Sequence, residues 1–171
     1  MIKVYVARAM TGRIKEDVVR EAKADKAYLE ELGFTVLDPV TSEGVESTKD
    51  VLLSAKEVMD IYWPRDKQMI RDAHVVFNMS PHLPSLGVMR EHGYARYHLW
   101  KKTITVFQHT KMPAEGAICY YEDDLVTDTL EKAAYDALRT HGTFLKRCKW
   151  RAALYVRCIP KAVWHHLKEW K

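Results

Sequence analysis

The sequence predicts an α/β fold with an open parallel sheet of about five strands and helices on both faces. Short runs of apolar and β-branched residues alternate with longer stretches of helical periodicity, the order expected of parallel strands joined by right-handed crossovers. The first run, Ile2–Ala7, is apolar apart from one lysine, as in a strand covered on both faces. A chain of 171 residues is long enough for one domain with a sizeable core.

Each predicted element is bounded by a local signal. Strands are expected at 2–7, 34–37, 75–79, 103–107 and around 118–121. Helices are expected at 14–32, about 49–61, about 65–73, from just after 84 to about 100, and about 125–139. The first helix has an apolar stripe interrupted by Asp25, and Gly33 ends it. A break is expected at Pro64 because proline cannot donate a helical hydrogen bond.

The composition is that of an ordinary globular protein, with 47% hydrophobic and 29% charged residues. Three scattered cysteines form no CxxC pair, which predicts a reducing, cytoplasmic location and neither metal nor redox cofactor. No apolar run approaches the roughly 20 residues of a membrane span. The first seven residues are too short for a signal peptide.

The C-terminal segment is basic. Residues 139–171 contain nine Lys or Arg against one acid, together with three tryptophans. We therefore divide the chain into a main domain, 1–141, and a basic Trp-containing helical extension, 142–171. The extension either packs an apolar helical stripe on the body or contacts nucleic acid or an acidic membrane surface.

Polar residues collect where the first three predicted strands end. In an open parallel sheet these loops meet at the carboxyl edge, where ligands bind. The candidates for one cleft are Tyr5, Arg8, Thr11, Asp38, Asp66, Ser85 and Glu91. Three of them have plainer alternatives: Glu91 as a partner of the helix dipole, Asp66 as a helix-start acid, and Ser85 as an N-cap.

Three segments resemble motifs of the nucleoside 2-deoxyribosyltransferase-like superfamily, which includes deoxyribosyltransferases and 2′-deoxynucleoside 5′-monophosphate N-glycosidases. Residues 3–12, KVYVARAMTG, are similar to the family's opening I-Y-x-A-G-P-M-T-G. Residues 66–76 are similar to D-x-x-x-[IL]-x-x-[AC]-D-x-V, and residues 84–95 to S/D-x-G-x-x-x-E-x-G-x-A. Lys101 and Lys102 stand at the usual strand entry. The resemblance covers roughly residues 3–108 and implies a flavodoxin-like, Rossmann-like domain.

The resemblance also implies roles for residues. Glu91 corresponds to the nucleophile, Tyr5 to its hydrogen-bond partner, and Asp66 to the group that protonates the departing base. Ser85 stands where transferases usually have Asp and monophosphate hydrolases have Ser, which tolerates a 5′-phosphate. Gly87, Arg8 and Thr11 are the further candidates for binding substrate or phosphate.

The expected activity is hydrolysis of the N-glycosidic bond of a (deoxy)nucleoside 5′-monophosphate, without cofactor or metal, by a homodimer or larger homo-oligomer. One alternative is a nucleoside 2-deoxyribosyltransferase that exchanges bases. Another is a non-catalytic module that binds nucleotide or nucleic acid. Two departures from the family pattern bear on this choice: Ala9 replaces a residue of the first loop, and His74 replaces an Asp.

Overall fold

Five parallel strands form a single sheet in the computed structural model, which describes residues 1–10, 13–42, 55–81, 85–108 and 124–141. The strands are β1 (Ile2–Ala7), β2 (Phe34–Leu37), β3 (Val75–Asn78), β4 (Lys102–Val106) and β5 (Leu125–Thr127). Their order across the sheet is β2-β1-β3-β4-β5, and every neighbouring pair is parallel. The predicted fold class is confirmed, and the first two strands have the predicted bounds.

The helices are α1 (Lys15–Glu31), α2 (Ala55–Asp72), α3 (Leu86–Gly93), which continues into a π-helical turn (Tyr94–His98), and α4 (Leu130–His141). The break predicted at Pro64 is wrong, because α2 runs through that residue. Proline has a helical φ and costs the helix one backbone hydrogen bond. Trp63 before the proline and Ile70 after it pack against one hydrophobic cluster, which favours a continuous helix. The predicted start of this helix, 49–54, lies outside the described residues.

The last strand and helix differ from the prediction. Residues 125–127 form β5, where the sequence pattern had suggested the start of a helix, and the strand expected at 118–121 lies outside the described residues. Asp124 explains the position of β5: its carboxylate accepts a hydrogen bond from the Thr103 amide at 2.8 Å, and its own amide donates to the Thr103 carbonyl. Thr129 then caps α4 by accepting from the Lys132 amide.

The chain divides into two compact units, Met1–Ala134 and Tyr135–Lys171. The boundary falls inside α4, seven residues before the end of the main domain predicted from the sequence. The extension at 142–171 lies outside the described residues, so its helical character stays a prediction. Within the described parts of the chain, no helix is both long and apolar enough to cross a membrane.

One hydrophobic cluster lies between β1, β3 and the helices α2 and α3. Tyr5 and Ala7 of β1 pack there with Ile70 of α2, with Ala73 directly after α2 and with Val88 of α3. This packing brings α2 and α3 against the central strand. The packing therefore fixes where the polar side chains of α2 and α3 lie relative to β1.

Asp25 interrupts the apolar stripe of α1 because it pairs with a buried arginine. Its carboxylate accepts a hydrogen bond from Arg8 Nη2 at 2.9 Å, and the Arg8 side chain is fully buried. Gln108 Nε2 donates to the other Asp25 oxygen at 3.1 Å, and Gln108 Oε1 accepts from the Leu130 amide at the start of α4. The network therefore links the loop after β1, α1 and the loop after β4.

We predict that Asp25→Ala destabilises the protein by about 3 kcal/mol or more, because it leaves the buried Arg8 charge without its nearest partner. Urea unfolding measures the change. Asp17→Ala is the control, since Asp17 pairs with Arg20 on the exposed side of the same helix. It should cost no more than about 1 kcal/mol. Equal losses in the two variants would contradict the importance of the buried pair.

Candidate active site

Four acidic groups from four elements meet near the carboxyl edge of the sheet. Tyr5 comes from β1, Asp38 from the loop after β2, Asp66 from α2 and Glu91 from α3. Asp66 and Asp38 each raise the pKa of Glu91, and all three carboxyls raise that of Tyr5. These effects show that Tyr5, Asp66 and Glu91 lie within electrostatic reach of one another. Their catalytic roles stay predictions.

Glu91 lies in the second turn of α3 and is half-buried as a residue, and surrounding protein atoms shield its carboxyl group from water. Burial, together with the smaller effect of the negative charge of Asp66, raises the pKa of Glu91 to about 8. The Tyr5 hydroxyl and Arg65 act in the opposite direction. A carboxyl in this environment holds its proton at neutral pH far more readily than an ordinary glutamate.

Tyr5 is fully buried in the middle of β1. Its hydroxyl makes no completed hydrogen bond with a described residue, yet it lies close enough to Glu91 for each group to shift the pKa of the other. Burial raises the pKa of Tyr5 well above its ordinary value, and the Glu91 charge adds to this effect. Tyr5 therefore stays protonated and can donate to a Glu91 carboxylate.

Asp66 lies in the middle of α2, so the interpretation of this residue as a helix-start acid is wrong. The reason is the continuity of α2 through Pro64, which turns a predicted helix start into an interior position. The residue is 8% exposed, and burial raises the pKa of its carboxyl. Arg65 opposes the shift by donating from Nε at 3.0 Å and from Nη2 at 2.8 Å to Asp66 Oδ1.

Asp38 is a member of the site whose environment the sequence did not reveal. It is 3% exposed, and Oδ1 accepts a hydrogen bond from the Val40 amide while Oδ2 has no completed hydrogen bond. Burial raises its pKa, and Arg8, whose Nη2 is 3.9 Å from Oδ2, lowers it. The signal available in the sequence was an aspartate directly after a buried strand and before a proline.

The guanidinium group of Arg8 lies close to three carboxylates. Besides Asp25 and Asp38, its guanidinium lies 3.9 Å from Glu21. Its Nε and Nη1 atoms are buried without completed hydrogen bonds to described residues. Its role in phosphate binding stays a prediction, and so does that of Thr11, which lies outside the described residues.

Ser85 is the N-cap of α3, as its plainer interpretation predicted. Its hydroxyl oxygen accepts a hydrogen bond from the Val88 amide at 3.4 Å, and Gly87 is exposed in the first turn. The cap places Ser85 beside the helix N-terminus, whose free amides and positive dipole end favour anions. Capping leaves a phosphate contact open, because a hydroxyl that accepts can also donate.

Two further motif residues act at the opposite edge of the sheet. His74 Nδ1 accepts from the Lys3 amide at 3.0 Å, which ties the start of β3 to β1. The Lys101 ammonium donates to the carbonyls of Arg71 and Ala73 and so caps the end of α2. His74 therefore lies at the sheet margin, remote from the carboxyl edge. Within the described ranges, no three potential ligand side chains are grouped to hold a metal ion.

Comparison with known proteins agrees with the observed fold. A family model described as a domain of unknown function (DUF4406) matches residues 2–105, which contain the whole site. The chain belongs to this family. It also has a deoxyribosyltransferase-like fold: it is similar to the solved 2-deoxyribosyltransferase from the psychrotolerant bacterium Bacillus psychrosaccharolyticus, with a TM-score of 0.56 and 17% identity over 77% of this chain and 90% of that one. No curated protein sequence matches.

The pKa of Glu91 predicts a pH dependence of stability. The pKa of a glutamate in the unfolded chain is about 4.3. Because the folded-state pKa is raised to about 8, the native protein binds the extra proton between these values. The free energy of unfolding should therefore decrease as pH rises from about 5 to 8, by at most about 1.4 kcal/mol per pH unit.

Glu91→Gln removes this titration, so the variant should become more stable relative to wild type as pH rises. Urea unfolding of both proteins at pH 5, 6, 7 and 8 measures the difference. Parallel curves for the two proteins would show that Glu91 ionises normally.

Proposed function

We propose that the protein hydrolyses the N-glycosidic bond of a (deoxy)nucleoside 5′-monophosphate to give free base and (deoxy)ribose 5-phosphate. The observation that supports this most is the enclosed Glu91 carboxyl beside a second buried carboxyl, Asp66, and the Tyr5 hydroxyl. Glycosidic cleavage uses two carboxyl groups, one ionised and one protonated. Burial raises the pKa of both carboxyls, which favours a state in which the pair carries one proton.

In the first step Glu91 attacks the anomeric carbon as a carboxylate, and the bond from that carbon to the base nitrogen breaks. Asp66 delivers its proton to the departing base, which leaves neutral. Two coupled carboxyls can share one proton in either of two arrangements. The step proceeds from the arrangement in which Asp66 holds the proton and Glu91 is ionised. Tyr5 donates to Glu91 and stabilises the ionised form.

In the second step water attacks the anomeric carbon of the glycosyl ester. Asp66, now a carboxylate, takes a proton from that water, and the carbon–oxygen bond to Glu91 breaks. The sugar leaves with the new hydroxyl group, and both carboxyls return to their starting state. A transferase follows the same scheme with a second base in place of water, and it is the alternative favoured by the fold shared with a 2-deoxyribosyltransferase.

The 5′-phosphate has a candidate position at the N-terminus of α3. Ser85 and the first amides of this helix present donors there, and Gly87 leaves room for close approach. Arg8 and Thr11 are proposed as further contacts. We further propose a homo-oligomer, and weak nucleic-acid contact through the basic extension at 142–171.

We predict that Glu91→Gln lowers kcat/KM by at least roughly a thousandfold, because the amide cannot act as nucleophile. The assay measures release of free base from a panel of nucleosides and monophosphates, with and without an acceptor base. Glu30→Gln, an exposed glutamate of α1, is the matched control and should keep full activity. Near-normal turnover by folded Glu91→Gln protein would exclude the proposed nucleophile.

The Ser85→Asp variant tests whether the site binds the 5′-phosphate of a substrate. Wild type should prefer a monophosphate to its nucleoside by more than roughly tenfold, since each charge-assisted hydrogen bond contributes about 1.5–3 kcal/mol. The aspartate still caps α3 but repels a phosphate dianion, so the monophosphate alone should lose kcat/KM. Ser85→Asn, a neutral cap, is the control and should lose less.

The same kinetic panel separates the two enzymes. Preference for nucleosides, together with base exchange faster than hydrolysis in wild type, would replace the hydrolase with the transferase.

A further inference from the structure

Arg65 is bound to the candidate acid by an arrangement that helix geometry does not impose. Consecutive residues of a helix point in different directions and do not normally contact each other. The Arg65 side chain nevertheless turns back so that Nε and Nη2 both donate to Asp66 Oδ1, at 3.0 and 2.8 Å. Its guanidinium also lies over the Tyr62 ring, 5.1 Å from the centroid. The arginine is therefore held on one side by an aromatic face and on the other by the carboxyl.

The two hydrogen bonds distinguish the oxygens of Asp66. Oδ1 accepts from two N–H groups of a cation, so a proton on that oxygen would compete with both. The acidic proton therefore belongs on Oδ2. Because Asp66 is buried, the contact with Arg65 determines which carboxyl oxygen is free to hold the proton.

Arg65 also brings a positive charge to a group of acids. The groups that act on Glu91 are Tyr5 from β1, Asp38 from the loop after β2, and Asp66 and Arg65 from α2. Arg65 lowers the pKa of Asp66 directly and that of Glu91 through space. Its effect is stronger on its bonded partner, so it opposes protonation of Asp66 more than protonation of Glu91.

We propose that Arg65 is a positioning residue that directs the Asp66 proton to Oδ2 and sets how Asp66 and Glu91 divide the proton they share. This inference rests on the proposed function in naming Asp66 as the acid. Arg65 itself contacts Asp66 and Tyr62, and it acts on the reaction through Asp66.

The test compares Arg65→Gln, Arg65→Lys and a matched control, Arg71→Gln. Arg71 lies on the same helix, stacks on a tyrosine and donates to its hydroxyl, but the tyrosine is Tyr94 and Arg71 does not act on the carboxyl pair. The readout is the pH profile of kcat/KM and kcat for a deoxynucleoside monophosphate, with urea unfolding as the check of folding.

Arg65→Gln should move the limbs of the profile to higher pH by about one unit, because loss of a neighbouring cation raises both carboxyl pKa values. It should lower kcat at least tenfold while KM changes less. Arg65→Lys retains the charge, so the limbs should return toward wild type, but one ammonium does not reproduce the two-donor contact, so kcat stays reduced. Arg71→Gln should leave the profile unchanged.

Coincident profiles for wild type, Arg65→Gln and Arg65→Lys would overturn the proposal.

Titration of the carboxyl groups separates this inference from the proposed function. In protein labelled with ¹³C at Asp and Glu carboxyls, the Glu91 resonance is assigned by its absence in Glu91→Gln, and that of Asp66 by its absence in Asp66→Asn. Both should titrate at higher pH in Arg65→Gln than in wild type, whether or not any nucleotide is cleaved. Unchanged titration would overturn the electrostatic role, whereas shifted titration in a protein that cleaves no nucleotide would overturn the proposed function alone.

Discussion

Burial of carboxyl groups at one edge of a parallel sheet is the constraint on which the rest of this site depends. Desolvation is the largest influence on the pKa of Asp38, Asp66 and Glu91 alike. An enclosed carboxyl is tolerated when it is protonated or when a donor compensates its charge. The site contains both solutions: the Val40 amide and Arg65 serve as donors, and the raised pKa of Glu91 favours its protonated form.

The buried network behind the site supports this arrangement. Arg8 pairs most closely with Asp25 and less closely with Asp38, so its positive charge lies under the loop after β2. Gln108 continues the network to the amide of Leu130. These contacts join segments far apart in the sequence, and Asp25 and Gln108 provide partners for groups that would otherwise be buried at a cost. The network therefore connects the loop after β1 to α1 and to the start of α4.

Local patterns predicted the parts of the fold that local chemistry controls. The apolar runs of β1 and β2 identified both strands, and Gly33 marked the end of α1. Pro64 misled the prediction, because the cost of one missing hydrogen bond is smaller than the gain from packing the helix on both sides of it. Residues 125–127 misled it as well, since their strand depends on pairing with β4, about twenty residues away in the sequence.

The sequence by itself determined the α/β class and the positions of the first two strands, and it indicated the residues that could carry chemistry, because apolar periodicity and motif spacing are local properties. The resemblance of three segments singled out Glu91, Tyr5 and Asp66 as candidates. Only the tertiary structure decided how these groups ionise, since a pKa depends on burial and on neighbours from other elements. It alone paired Asp25 with Arg8 and turned Arg65 onto Asp66, because such contacts arise from packing and leave no periodic signal in the chain.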